Sequence, residues 1–156
     1  MTDIALKVGD KAPDFALKNQ YDQEVRLSSL TGSGKRVLLS FHPLAWTPVC
    51  ELQMRALELK APSFDELGTV ALGLSVDTGP SKKAWAASMG VEKTDLLADF
   101  NPFGKVTRDY DLWVEKLGAS GRANIVVGAD GTIEWMEVYP IPRIPDIEAV
   151  IEFLRG

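Results

Sequence analysis

The chain has 156 residues, of which 46% are hydrophobic and 25% are charged, and it contains one cysteine and one histidine. This length and composition suit one compact domain, spanning residues 1–156, that can bury a proper core. The net charge of −5, with Lys and Arg scattered along the chain, argues against binding to nucleic acid or to an anionic membrane. Because the sequence has neither a membrane-spanning apolar window nor a signal peptide at its N-terminus, we expect a cytoplasmic protein.

Segments with strand-like and helix-like patterns alternate along the chain, which predicts an α/β fold. Two strand-helix-strand crossovers between residues 36 and 98 predict a largely parallel central sheet. A hairpin around an Asp-Gly turn is predicted in the second half. The predicted strands are 24–27, 36–41, 70–76, 96–98, 123–128 and 132–138; the predicted helices are 48–60, 81–89, 105–110 and about 145–154.

The lone cysteine ends the stretch FHPLAWTPVC, residues 41–50, which joins a predicted strand to a predicted helix. Pro48 suits a first helical turn and Thr47 is a possible N-cap, so Cys50 should lie in that first turn. Free N–H groups and the helix dipole favour an anion there, and the thiolate is the reactive form of cysteine. Pro43 and Pro48 stiffen the turn, and the Thr47 hydroxyl can reach the sulfur or a bound oxygen atom. The pattern therefore predicts an activated nucleophile.

An inert, buried thiol is the more common role for a single cysteine on a helix, so the neighbouring residues decide between the two interpretations. Pro43, Thr47 and Cys50 match the motif P-x-x-x-T/S-x-x-C, and on this motif the chain resembles the peroxiredoxins. Further family landmarks follow in order at residues 8–15, 96–102, 121–127 and the Asp-Gly turn at 130–131. The resemblance implies a thioredoxin-like fold, with a central mixed β-sheet flanked by helices on both faces.

The resemblance implies a thiol peroxidase in which the Cys50 thiolate attacks hydrogen peroxide, an organic hydroperoxide or peroxynitrite and becomes a sulfenic acid. Arg122 matches a family arginine that reaches the sulfur, although an arginine beside a glycine could also be a solvated surface residue. A guanidinium stays charged and can donate to both sulfur and peroxide oxygen. With Thr47 and the helical N–H groups, it would stabilise charge on the departing oxygen. No metal or organic cofactor is implied.

Regeneration of the thiol must differ from that in relatives that carry a second, resolving cysteine. In some subgroups this cysteine comes five positions after the first, and here that position is Arg55. The chain therefore resembles a 1-Cys peroxiredoxin, whose sulfenic acid needs an external thiol. Thioredoxin, a glutaredoxin, a low-molecular-weight thiol and a disulfide between two chains all remain open as the means of reduction.

Several other residues near the cysteine are candidates for the pocket or its support. Gln53 stands where the family commonly has a glutamate that orients the arginine, and Trp46 stands where phenylalanine is usual. His42 matches a histidine of one 1-Cys subgroup, where it could hydrogen-bond the thiolate or gate partner thiols; the alternative is a partly exposed packing residue. Pro48 and Val49 complete the candidate pocket. One His and one Cys cannot fill a zinc site.

Trp85 lies in a segment that resembles one packing near the active site and the dimer surface of the family; ordinary helix packing is the alternative. If Trp85 shares one side of the protein with Trp46, Pro48, Phe100 and Phe103, these residues predict a homodimer that packs around the site.

Two other classes of function compete with a peroxidase. Dithiol exchange of the thioredoxin type needs C-x-x-C, and Thr47 occupies the first cysteine position, so only monothiol chemistry remains. A peroxide sensor without turnover, or a holdase-type binding protein, stays open because a sensor needs the same activated thiolate. Repeated turnover with a reducing partner distinguishes an enzyme from both.

Overall fold

The computed structural model describes residues 5–156, so the first four residues of the predicted domain lie outside the described part. The strands are β1 (Ala16–Lys18), β2 (Glu24–Arg26), β3 (Arg36–Phe41), β4 (Thr69–Ser75), β5 (Asp95–Ala98), β6 (Trp113–Val114), β7 (Ala119–Ser120), β8 (Arg122–Val127) and β9 (Ile133–Tyr139). The helices are α1 (Leu27–Gly32), α2 (Pro48–Leu59), α3 (Ala61–Glu66), α4 (Gly79–Met89), α5 (Lys105–Asp109) and α6 (Ile147–Arg155).

Within residues 5–156, seven strands form one sheet in the order β2-β1-β5-β4-β3-β8-β9, and β6 pairs with β7 in a small separate hairpin. Strand β4 runs parallel to both of its neighbours, β3 and β5. The other four pairings in the large sheet are antiparallel. The prediction of a mixed sheet is confirmed, whereas the prediction of a largely parallel one is wrong. Two of the antiparallel pairings, β1 with β2 and β8 with β9, are hairpins, and strands joined by a tight turn must be antiparallel. The other two, β1 with β5 and β3 with β8, join strands far apart in the chain.

Alternate residues of β3 face opposite sides of the sheet, because side chains alternate along a strand. The odd-numbered residues face a core that α1 and α5 close, and Leu38 faces a second core that α2, α4 and α6 close. Helices therefore cover both faces, as predicted. The second core includes Leu38, Cys50, Trp85 and Val150, so the cysteine lies between the sheet and its helices.

The predicted long helices are confirmed with small changes at their ends. Helix α2 ends one residue earlier than predicted, and α4 begins two residues earlier, with the Thr78 hydroxyl accepting a hydrogen bond from the backbone of Ser81. Gly90 closes α4 with a left-handed φ of 72°, a conformation that glycine adopts without strain. Helices α1 and α3 and strands β1, β6 and β7 were not predicted, because two to six residues show no reliable periodicity. Among residues 5–156, no helix has the length and apolar character needed to cross a membrane.

The topology brings the candidate site to one edge of the sheet. Strands β3, β4 and β5 are parallel, so their carboxyl ends meet at this edge. Strand β8 runs antiparallel to β3, with Phe41 opposite Ala123, so the amino end of β8 and its Arg122 lie at the same edge. Residues far apart in the chain therefore meet beside the turn that follows β3.

Candidate active site

The turn from β3 into α2 places Cys50 as predicted, in the first turn of the helix. Pro48 is the first residue of α2, and Thr47 before it has an extended backbone at φ −113°. The Thr47 hydroxyl, however, makes neither a cap nor a contact with sulfur, because it donates to the Leu44 carbonyl at 2.8 Å. The expected hydrogen bond to the sulfur is therefore not formed. The Thr47 oxygen still has lone pairs with which to accept a hydrogen bond.

Arg122 is buried and contacts the sulfur, which excludes the alternative of a solvated surface arginine. Its Nη1 donates to Cys50 Sγ at 3.3 Å and to Gln53 Oε1 at 2.7 Å, and its Nε donates to the Ile141 carbonyl at 2.8 Å. Within residues 5–156 we find no hydrogen bond from Nη2. A guanidinium held at two of its nitrogens keeps a fixed orientation and leaves the third for a ligand.

Gln53 connects the three elements that form the site. While its Oε1 accepts from Arg122, its Nε2 donates to Ser40 Oγ at 2.8 Å and to the Phe41 carbonyl at 3.0 Å. The amide thus ties α2 to the end of β3 and to β8. A glutamate could accept from the arginine but could not donate to the carbonyl, so the amide suits this pair of neighbours.

His42 is fully buried, so the alternative of a partly exposed residue is wrong. Its Nε2 lies 2.8 Å from Nζ of Lys82, and its Nδ1 lies 3.4 Å from the Ser40 carbonyl. Its ring centroid lies 5.5 Å from that of Trp85, and Lys82 Nζ lies 5.5 Å from the Trp85 ring. Lys82 is 0% exposed and was missed in the sequence, although it stands three residues before Trp85 and so shares its helix face.

Burial shifts the protonation of both partners in this pair. It lowers the pKa of Lys82 from 10.5 to about 7, although the negative charges of Asp77 and of the Cys50 thiolate oppose the shift. Burial also holds the pKa of His42 well below its usual value, and the charges of Lys82 and Arg122 lower it further. The proton that the pair carries therefore resides on Lys82, and neutral His42 accepts its hydrogen bond through Nε2.

A groove of about 300 Å³ opens beside the sulfur. Its walls include Pro43, Thr47, Pro48, Val49 and Arg122. Cys50 itself is 0% exposed and does not line the groove. Arg122 connects the two, because it lines the groove and its Nη1 contacts Sγ. Of the residues predicted to form or support the pocket, Pro48 and Val49 line the groove, whereas His42, Trp46, Gln53 and Trp85 do not.

A second cavity, of about 450 Å³, continues the groove past Arg122. The two cavities share Leu117, Ile141 and Pro142 as well as Arg122, and most of their lining is apolar. Arg122 is the charged residue that both cavities share, and Asp111 and Lys116 also line the larger cavity. A mostly apolar channel with a cation at its junction suits a ligand with a small polar head on an apolar body.

The predicted cluster of surface aromatics is only partly formed. Trp85 is fully buried in the core beside His42, so it cannot contribute to a dimer surface, and the interpretation as helix packing is the correct one. Trp46 is 56% exposed and donates to Ser81 Oγ at 3.1 Å, and Phe103 is 70% exposed. Phe100 and Phe103 are edge-to-face neighbours, with ring centroids 6.0 Å apart.

In the part of the chain that the structure describes, no three His, Cys, Asp or Glu side chains come close enough together to hold a metal ion. The assembled groups are instead those of a nucleophilic site. A sulfur lies at a helix N-terminus with a fixed cation at 3.3 Å, a hydroxyl acceptor stands nearby, and an adjoining groove can hold a substrate.

Comparison with known proteins agrees with this geometry. Residues 8–136 match the AhpC/TSA family. The chain is 38% identical to alkyl hydroperoxide reductase E of Mycobacterium bovis over 133 residues, covering 85% of this chain and 86% of the relative. It is 36% identical to a thiol peroxidase of Listeria innocua over 149 residues, covering 94% of this chain and 86% of the relative.

Among solved structures, the reduced 2-Cys peroxiredoxin of Plasmodium vivax superposes with a TM-score of 0.84 at 26% identity. The match covers 95% of this chain and 80% of that one. The fold is therefore thioredoxin-like, as the resemblance implied, and the chain belongs to the AhpC/TSA family of peroxiredoxins.

Proposed function

We propose that this protein is a thiol-dependent peroxidase in which Cys50 is the nucleophile. The observation that carries the proposal is the contact at 3.3 Å between Arg122 Nη1 and Cys50 Sγ, within the first turn of α2. A buried thiol with a cation and helical N–H groups around it is held ready to react as the thiolate. The homologues named alkyl hydroperoxide reductase and thiol peroxidase support the same activity.

In the reaction, the thiolate attacks one peroxide oxygen, the O–O bond breaks, and the departing oxygen takes a proton to leave as water or an alcohol. Cys50 becomes a sulfenic acid. Arg122 can direct Nη2 at the peroxide, where developing negative charge would strengthen the hydrogen bond. Thr47, whose hydroxyl hydrogen is already donated to Leu44, would accept the hydrogen bond of the peroxide O–H. Pro43 lines the groove together with Arg122 and adds no competing N–H group.

Recycling follows the 1-Cys scheme, because the sequence contains one cysteine. An external thiol attacks the sulfenic sulfur, water leaves, and a second thiol then resolves the mixed disulfide. Thioredoxin, a glutaredoxin and a low-molecular-weight thiol are the candidate reductants, and a disulfide between two chains is a further route. No metal or organic cofactor takes part in these steps.

The groove favours peroxides with an apolar body over hydrogen peroxide. Leu117, Ile141 and Pro142 continue from the Arg122 end of the groove into the larger cavity, so an organic hydroperoxide could place its polar end at the arginine and bury its remainder.

For assembly and location, the proposal is a cytoplasmic homodimer. The exposed aromatic side chains of Trp46, Phe100 and Phe103 support a partner surface near the site, because large exposed apolar groups are common in interfaces.

The experiment that tests the function is stopped-flow mixing of the reduced protein with hydrogen peroxide and, separately, cumene hydroperoxide. Tryptophan fluorescence and residual thiol are followed, with Cys50→Ser as the control. We expect thiol loss orders of magnitude faster than for free cysteine, and faster with cumene hydroperoxide than with hydrogen peroxide. In Cys50→Ser, which has no thiol, the change in tryptophan fluorescence on mixing with peroxide should be absent. A rate equal to that of free cysteine would refute the proposal. Fast oxidation without repeated turnover on added thiols would instead support the peroxide sensor.

A further inference from the structure

The loop at residues 140–142, which follows β9, meets the candidate site in two ways. The Ile141 carbonyl accepts a hydrogen bond of 2.8 Å from Arg122 Nε. The Ile141 side chain lines both the groove beside Cys50 and the larger cavity. One residue therefore holds the guanidinium in place and also forms a wall of the apolar space that leads away from it.

We propose that Ile141 is the residue that determines the peroxide specificity of this site. Its side chain binds the apolar body of an organic hydroperoxide where the two cavities meet, and its carbonyl fixes the arginine that faces the O–O group. The inference deepens the proposed function and rests on it for the chemistry. The contact of Ile141 with an apolar ligand, however, can be tested without any peroxide.

Ile141 differs from the other residues at the junction of the two cavities. Arg122, Leu117 and Pro142 also line both of them. Leu117 and Pro142 supply apolar surface, but the hydrogen bonds of Arg122 within residues 5–156 go to Ile141, Cys50 and Gln53. At Ile141 alone among these apolar residues, a contact with the substrate body and the orientation of the arginine depend on the same few atoms.

The loop is stiff, so the side chain and the carbonyl of Ile141 keep fixed directions relative to each other. Pro140 and Pro142 flank Ile141, and a proline fixes its own φ and restricts the backbone of the residue before it. The Arg143 N–H donates to the Pro140 carbonyl at 3.0 Å, which closes a turn around Ile141. A wall that is formed before the substrate arrives costs little ordering entropy on binding.

The apolar side chains at the junction are available to a ligand. Ile141 is 37% exposed and Leu117 is 46% exposed, so a ligand in the cavity would remove apolar surface of both from water. Hydrogen peroxide has no apolar part and gains nothing from this wall, whereas a hydroperoxide with a hydrocarbon body does. The discrimination between the two peroxides should therefore depend on the size of the side chain at position 141.

Shortening this side chain tests the inference, because Ile141→Ala removes the apolar wall and keeps the carbonyl. Ile144→Ala is the matched control, since Ile144 is 48% exposed on the same loop between β9 and α6 and lines neither cavity. Stopped-flow fluorescence gives the rate constants for oxidation of the Cys50 thiol by cumene hydroperoxide and by hydrogen peroxide. Separately, cumyl alcohol, the alcohol formed from cumene hydroperoxide, is titrated calorimetrically into each reduced protein.

In Ile141→Ala we expect the ratio of the cumene hydroperoxide rate constant to the hydrogen peroxide rate constant to fall about tenfold, a usual effect of changing one apolar contact. The dissociation constant for cumyl alcohol should rise about tenfold as well. Ile141→Val should show smaller changes in the same directions, and Ile144→Ala should match the wild type. An unchanged ratio in Ile141→Ala would refute the inference, as would equal affinities of the two alanine variants for cumyl alcohol.

The role of the carbonyl is tested through the stiffness of the loop. Pro142→Gly frees the backbone beside Ile141, so Arg122 loses a fixed acceptor and the rate constants for both peroxides should fall about tenfold or more. Wild-type rates in this variant would refute a role of the carbonyl in fixing the arginine. A wild-type thiol that reacts no faster than free cysteine, in a protein that binds cumyl alcohol through Ile141, would refute the proposed function alone.

Discussion

Gln53 accepts a hydrogen bond of 2.7 Å from Arg122, through the same nitrogen that contacts the sulfur. The amide therefore fixes the direction of the guanidinium without adding a charge. A carboxylate at this position would attract the arginine more strongly, but it would also offset part of the positive charge that the thiolate experiences.

Replacement of Gln53 should slow the peroxide reaction. In Gln53→Leu the arginine loses its acceptor, and Ser40 and the Phe41 carbonyl lose their donor. We expect the rate constant for thiol oxidation to fall by about 10- to 100-fold, the usual effect of removing a residue that orients a reactive group. Stopped-flow fluorescence measures it. Glu51→Gln, which breaks only an exposed pair with Arg55, is the control; equal rates in the two variants would contradict the prediction.

Thr47 should matter through its oxygen atom rather than through its size. Thr47→Val has the same shape but cannot accept a hydrogen bond from a peroxide, so the rate constant should fall about 10- to 100-fold. Thr47→Ser keeps the hydroxyl and should stay close to wild type. Stability should change by less than about 1.5 kcal/mol in either variant, because the bond to the Leu44 carbonyl is exposed. Wild-type rates in Thr47→Val would show that the hydroxyl does not contact the peroxide.

Lys82→Met should stabilise the protein. Burial holds the pKa of Lys82 at about 7, below its unfolded value of about 10.4, so the unfolded chain binds the proton more tightly between these values. The contribution of Lys82 to the free energy of unfolding is therefore least favourable below about pH 7 and improves as the pH rises toward 10. The substitution also leaves Nε2 of buried His42 without its donor, which costs about 1–3 kcal/mol. A net gain is therefore expected at about pH 6, where the buried charge is present, and should vanish or reverse at about pH 10.

Urea unfolding of the reduced protein at the two pH values measures this gain. Lys83→Met, at the exposed neighbouring position, should change stability by less than about 0.5 kcal/mol. A Lys82→Met variant that is less stable than wild type at both pH values would mean that the lysine contributes to packing more than its charge costs.

Gly73 should tolerate no side chain, because β4 and α2 approach closely there. A Cβ at this position would overlap Sδ of Met54 and lie 3.0 Å from Cδ2 of Leu96. Gly73→Ala should lower the free energy of unfolding by about 1–3 kcal/mol, the usual cost of overpacking a core. Gly32→Ala, where a Cβ meets nothing within 4 Å, is the control in the same urea titration. Equal stabilities would mean that Met54 moves aside without cost.

The local parts of the site could be read from the sequence, and the long-range parts could not. Pro48 and Thr47 placed Cys50 in a first helical turn because these residues act within a few positions of themselves. The burial of Lys82 is different, because no local pattern says that a lysine beside Lys83 packs against His42, forty positions earlier. The antiparallel pairing of β8 with β3 was also missed, since pairing depends on which strands meet after the chain collapses.

The short helix α1 shows the same limit on what a local sequence pattern can predict. Leu27 continues the pattern of the strand before it, yet it begins α1, a helix of six residues that contains two serines and ends in a glycine. Such a helix is held by packing of Leu27 and its partners on the sheet rather than by its own propensity, which a sequence pattern cannot reveal.

The contact between Arg122 and Cys50 joins residues that are 72 positions apart, on strand β8 and helix α2. A chain still emerging or only partly folded has not brought them together, so its thiol should be no more sensitive to peroxide than cysteine in a peptide. Rapid oxidation can then begin only after β8 and α2 have come together in the fold. The growing chain should therefore be protected from oxidation of its thiol before folding is complete. For the same reason, the rate of thiol oxidation can be used to follow when Arg122 and Cys50 come into contact during folding.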